Sequence, residues 1–217
     1  MNPVGPFHFY TERRLVQLTG IKASNLAELL VELKEAPGSS IFYHTHHRFL
    51  SHHFQKPLVY NDFAGWASAA AQAETLSEKL GILDLRQFTS IRQLRETIVS
   101  LVEDYVQEAN GQLRNCLPGH EFHFCKSKSF IMPTGIVAVD PAELAAKLAA
   151  ITNVSLYFHF VEARLRMERT TNDFSQWLRA WGLDALADEI DAIDPYSLTL
   201  DELKAAIVNL VHQHGVG

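Results

Sequence analysis

The chain repeats itself. FHFYTERRLVQLTGIKA, which begins at Phe7, lies over FHFCKSKSFIMPTGIVA, which begins at Phe122, at an offset of 115 residues. The alignment runs without a gap over residues 7–50 and 122–165, and 14 of its 44 positions are identical. Roughly three identities are expected between unrelated sequences of ordinary composition. A second match, NDFAGW with NDFSQW, pairs Asn61, Asp62, Phe63 and Trp66 with Asn172, Asp173, Phe174 and Trp177 at an offset of 111, so residues 51–60 form a connection four residues longer than its partner. Near the ends, Ile98, Val99, Leu101 and Val102 pair with Ile207, Val208, Leu210 and Val211. A repeat on this scale constrains the fold strongly, because each half must be able to adopt the structure of the other. We read residues 1–106 as a first repeat, 107–120 (QEANGQLRNCLPGH) as a linker rich in turn residues, and 121–217 as a second repeat.

Helix start signals recur at the same places. Asn25 with Glu28 and Asp140 with Glu143 each place a capping residue three positions before a carboxylate, and Pro141 stands at the favoured first helical position. Ser90 with Gln93 and Thr199 with Glu202 repeat the pattern before a longer helix whose apolar residues Leu94, Ile98, Leu101, Val102 and Tyr105 recur at helical spacing. Asn61-Asp62 and Asn172-Asp173 open a third helix, with Asp62 and Asp173 read as caps and as partners for a histidine. Residues 76–83 and 185–193 leave room for a fourth. SSIFYHTHHRFL and SLYFHFVEARLRM read as the helix before the Asn-Asp turn, and FHFY and FHFC as short strands. The expected fold is mostly α with a small β component: two similar helical halves, related by pseudo-twofold symmetry through their strands and packed as one compact unit.

With 47% hydrophobic and 20% charged residues, the composition fits a soluble globular chain. The formal charge of −6 gives no electrostatic case for nucleic acid, since phosphate binding wants a basic face. No apolar run approaches the ~18 residues of a membrane span, and the N-terminal residues show no secretion signal. Cys116 and Cys125 lack metal or redox spacing, so a reducing cytoplasmic location is expected.

Five of the eleven histidines fall in SIFYHTHHRFLSHHF, residues 40–54. The repeat sorts them. His8/His123 and His44/His159 occur in both halves, whereas His46, His47, His52 and His53 occur only in the first. A structural reading has the shared histidines semi-buried and bonded to the Asn-Asp turn, with Trp66 and Trp177 as core anchors. The aromatic run Phe42, Tyr43, Tyr157, Phe158 then belongs to the core, and His46, His52 and His53 lie on a solvated face. A metal reading takes His44 and His47, at i and i+3, as convergent ligands with His8, and His123, His159 and Glu162 as their counterparts. No metalloprotease, phosphate-loop, nucleotide-binding or nucleophile-elbow motif accompanies them.

At FHFYTERRL, PGSSIFYHTHHRFL and NDFAGW, and again at HFVEARLR, NDFSQWL and DPYSLTLDEL, the chain resembles an uncharacterised bacterial family, a domain of unknown function with similar His-rich and Asn-Asp-Phe-Trp segments. The resemblance covers most of the chain and implies a link to sugar metabolism, but it supplies no catalytic residue. The expected function is a non-catalytic interaction or regulatory accessory protein with no cofactor. A protein partner is expected, with no nucleic acid and no membrane, and a homo-oligomer is compatible with it. The alternative is a metal-binding protein or metal-dependent enzyme holding zinc or a similar ion at the His-rich helix. A weaker third reading is a small-ligand binder in the cleft between the halves.

Overall fold

The computed structural model describes residues 4–47, 61–109, 113–167 and 169–216. The fold is mostly α with a small two-stranded sheet. The element order is β1 (Phe7–Ala23), α1 (Leu26–Glu35), α2 (Gly38–Phe42), a π-helical segment (Tyr43–His47), α3 (Asp62–Ala69), α4 (Glu74–Gly81) and α5 (Ile91–Glu108). Then come β2 (Phe122–Ala138), α6 (Pro141–Ala150), α7 (Asn153–Tyr157), a second π-helical segment (Phe158–Glu162), α8 (Ala163–Met167), α9 (Asp173–Ala180), α10 (Asp184–Ala192) and α11 (Leu200–Gln213). Among the described residues no helix is long and apolar enough to cross a membrane.

The chain divides into two compact units, and the division runs through both strands. One, the N-helical unit, joins residues 14–23 of β1 and helices α1–α5 to residues 122–128 of β2. The other, the C-helical unit, joins residues 129–138 of β2 and helices α6–α11 to residues 7–13 of β1. Each set of helices therefore carries the Phe-His-Phe start of the strand that leads into the other set.

The helix caps explain where the helices begin. Asn25, Asp140, Ser90 and Thr199 each accept a bond from the backbone N–H three residues on, and Thr199 with Glu202 forms a full capping box. At the Asn-Asp turns the sequence reading needs correction. The caps are Asn61 and Asn172, which accept from the N–H groups of Ala64 and Ser175. Asp62 and Asp173 stand at the first helical position, which frees their carboxylates for another partner.

Three further expectations are corrected. The strands are not short: each spans 17 residues. The segment before the Asn-Asp turn is not a regular helix, because α2 and α7 both pass into a π-helical turn. Trp66 and Trp177 are half-buried rather than core residues, and each indole N–H donates to a backbone carbonyl, of His120 at 2.7 Å and of Gly5 at 2.8 Å respectively.

The matching Thr-Gly-Ile triplets have a local cause. Thr19 donates its hydroxyl to the carbonyl of Phe124 (2.6 Å), and Thr134 to that of Phe9 (2.8 Å). A late residue of β1 thus faces an early residue of β2, and the reverse, so the strands are antiparallel. Each threonine Oγ also accepts from the N–H of the isoleucine two residues on, across Gly20 (φ +80°) and Gly135 (φ +78°). That left-handed backbone is where glycine is needed.

In both units the core is built on the alternating strand start. Phe122 and Phe124 point inward in the N-helical unit, where Phe122 packs on Phe63 at 5.1 Å and on His44 at 4.7 Å. Phe7 and Phe9 do the same in the C-helical unit, with Phe7 5.2 Å from Phe174 and 5.0 Å from His159. Helix α1 packs on α5, and α6 on α11.

Candidate functional site

Serine and histidine four residues apart clamp one strand residue in each unit. In the N-helical unit, Cys125 donates its backbone N–H to Nε2 of His44 at 2.9 Å, while its carbonyl accepts from the Ser40 hydroxyl at 2.7 Å. In the C-helical unit, Tyr10 donates its N–H to Nε2 of His159 at 2.8 Å, and its carbonyl accepts from Ser155 at 2.6 Å. A nitrogen that accepts carries no proton, so the ring proton sits on Nδ1. From there it is donated to Asp62 at 2.9 Å and to Asp173 at 2.7 Å. The carboxylate fixes the tautomer, the tautomer offers Nε2 to the strand, and the serine takes the other backbone group. All four clamp residues are at most 3% exposed. The expectation that a semi-buried histidine bonds the Asn-Asp turn is met, but the strand contact and the two serines lay outside it.

The geometry resembles a catalytic Asp–His pair, with one difference. Nε2, which would serve as the base, is held by a backbone amide and has no substrate-facing lone pair. The same bonds use the positions at which either histidine would ligate a metal.

The other histidines lie elsewhere. His8 and His123 point outward on the alternating strand starts and are exposed. His8 belongs to the C-helical unit with His159, and His123 to the N-helical unit with His44, so the set His8, His44 and His47 falls in two units. His47 stacks on Tyr43 at 5.0 Å, with its Nδ1 3.4 Å from Arg14 Nη1. The i to i+3 spacing that would align His44 and His47 on an α-helix does not hold in the wider π turn. Glu162 closes the second π segment and is half-buried. Among the described residues no group of three or more His, Cys, Asp or Glu is arranged to hold a metal ion.

His46 overturns the solvated-face reading. It is 2% exposed, stacks on Phe42 at 5.2 Å, and its Nδ1 lies 2.9 Å from the Thr45 hydroxyl. Burial, helped by the nearby Arg14 charge, pushes its pKa down to about 3. His52 and His53 lie outside the described residues. The aromatic run divides, with Tyr157 and Phe158 buried and Phe42 and Tyr43 half-buried.

The C-helical unit also has an open groove of about 580 Å³. Phe7, Tyr10, Phe158 and Trp177 supply aromatic surface, and His8, Arg166, Asp173 and Gln176 the polar groups. Arg166 lies over the Phe158 ring at 4.2 Å and bonds the same Asp173 oxygen that receives His159.

Residues 4–212 match a family of unknown function (DUF5752). The chain belongs to that family. In structure this DUF5752 chain is similar to OrfY from Thermoproteus tenax, with a TM-score of 0.82 and 26% identity over 96% of this chain and 95% of that one. No curated protein matches it.

For this DUF5752 member, sequence reasoning overlooked Ser40 and Ser155. The signal was present: the serine is identical in both halves and stands one helical turn before a histidine that is also identical.

Proposed function

We propose that this protein is a non-catalytic interaction and regulatory accessory protein, built by internal duplication. The observation that carries the proposal is the double engagement of His44 and His159. In each ring one nitrogen donates to an aspartate and the other accepts from a strand amide. The histidines that recur in both halves are thereby committed to fastening a strand, which leaves no free base or ligand atom at the most repeated position. The duplication is supported by recurrence at matching places of the π segment, the Ser–His clamp, the Asn cap and the Thr-Gly-Ile bend. A cytoplasmic location fits the two free cysteines. Bacterial origin and the link to carbohydrate metabolism rest on the family resemblance alone.

The test is metal content and turnover in protein purified without a histidine tag. Substoichiometric metal, unchanged in His44→Ala and His47→Ala, is expected. Stoichiometric zinc, iron or manganese that disappears in either variant would make the protein a metal-binding one.

A further inference from the structure

The groove of the C-helical unit has two kinds of residue in it. Phe7, His159, Asp173 and Trp177 recur in the other half as Phe122, His44, Asp62 and Trp66. All four take part in the packing and clamping already described, so their recurrence is accounted for. Tyr10 and Gln176 do not recur: the matching positions hold Cys125 and Gly65. Arg166 falls in the shorter connection, where the halves also differ. These three, with His8, are the groove's accessible polar groups: Tyr10 is 38% exposed, Gln176 and His8 are exposed, and the Arg166 side chain keeps 36% of its surface. Three of these four accessible groups thus differ between the halves, and the fourth, His8, recurs as His123. That comparison rests on the duplication inferred above.

Of these groups Arg166 alone is purely a donor, since the Gln176 amide, the Tyr10 hydroxyl and the His8 ring can also accept. Among the described residues that line the groove Asp173 is the one carboxylate, and one of its oxygens already receives both His159 and Arg166. Arg166 keeps further N–H groups, since a guanidinium carries five. The Gln176 amide, the Tyr10 hydroxyl and the His8 ring can each donate, and none has a side-chain hydrogen bond among the described residues. Beside them, Trp177 ties its indole N–H to Gly5, packs edge-to-face with Phe7 at 5.6 Å and Trp181 at 5.8 Å, and adds aromatic surface to the groove. Donors around an aromatic wall in a groove of this size suit a small ligand with acceptor oxygens at one end and a flat body at the other. We propose that the C-helical unit binds a small organic anion, an aromatic or flat-faced molecule bearing a carboxylate or phosphate. Arg166 meets the anionic group and Trp177 the flat face.

The experiment follows the three indole N–H signals of the full-length protein by NMR during titration with phenyl phosphate, benzoate, benzyl alcohol, benzylamine and inorganic phosphate. Saturable movement of the Trp177 signal with phenyl phosphate or benzoate is expected, at least tenfold tighter than with benzyl alcohol or benzylamine, while Trp66 stays still. Whichever of the two anions binds better identifies the acceptor group. Inorganic phosphate alone should bind at least tenfold more weakly than phenyl phosphate. Arg166→Gln should weaken binding at least tenfold. Because Arg166 also holds Asp173, the exposed substitutions His8→Ala and Gln176→Ala serve as a second set, each expected to weaken binding severalfold with an unchanged melting temperature. The proposal fails if neither anion binds, if the neutral or cationic probe binds as tightly, or if His8→Ala and Gln176→Ala both bind as the wild type does. Such a failure would leave the metal-content test of the accessory role untouched.

Discussion

Nε2 of His159 accepts the backbone N–H of Tyr10, a residue 149 positions earlier in the chain, at 2.8 Å. His44 holds Cys125 in the same way across 81 positions. Both histidines are structural latches, and removing one ring leaves a buried strand amide without its acceptor, takes one donor from the aspartate and opens a cavity in the aromatic core. Unsatisfied buried groups cost about 1–3 kcal/mol each. His44→Ala and His159→Ala are expected to lose about 2–5 kcal/mol, and Ser40→Ala and Ser155→Ala, which strand a single carbonyl, about 1–3 kcal/mol. Urea denaturation of the four variants checks the order: a serine variant more damaging than its histidine neighbour contradicts it.

The bend in each strand should show the cost of a side chain. No atom lies within 4 Å of a Cβ built at Gly20 or Gly135, so Ala would meet no clash there. The penalty is the left-handed backbone itself, about 1–2 kcal/mol. Gly20→Ala and Gly135→Ala should each lower stability by that amount, and by similar amounts, in the same denaturation assay. A neutral result at both would mean the strands do not bend as described.

Acid should weaken the protein through His46. Above about pH 6.5 the ring is neutral in the folded and the unfolded chain, and its burial is harmless. Below that, the unfolded chain takes up a proton that the folded chain refuses until about pH 3. Stability is therefore lost as pH falls through this window, by about 1.4 kcal/mol per pH unit from this group. His46→Leu should flatten the pH dependence of unfolding between pH 6.5 and 4.5, above most carboxylate titration. Parallel slopes for wild type and variant would refute the assignment.

Neither half should fold when separated at the linker. A fragment of residues 1–106 lacks Phe122 and Phe124, which are 5% and 1% exposed in the core of the helices it retains. It should give weak far-UV circular dichroism and a broad melt, sharpened by a synthetic peptide of residues 120–138. A cooperative monomeric melt of the fragment alone would show that the exchanged strand is dispensable.

The sequence revealed the caps and the repeat because both are local. Asn25, Asp140, Ser90 and Thr199 announce themselves by a partner three residues away. The two π segments do not, since they are stabilised by residues distant in sequence: an aspartate at the head of the next helix, and a strand from the other half. Helical spacing alone therefore put His44 and His47 on one face and His46 in solvent. The strands were underestimated for a related reason. Their alternation is clear at Phe-His-Phe and fades towards Leu15, Leu18, Phe130 and Ile131, which are 48–79% exposed. The groove left no trace in sequence, because its residues come from the start of β1, from the middle of β2 and from helical segments further along the chain.

The exchanged strands bear on how such a chain depends on its own concentration. A protein consisting of one half would have to take its Phe-His-Phe segment from a neighbouring molecule, and it would come apart on dilution. Joined by a linker, the donor is always present in the same molecule, supplied at an effective concentration set by the linker rather than by expression level. This single polypeptide folds with the kinetics of an intramolecular event where its separated halves would have had to meet first.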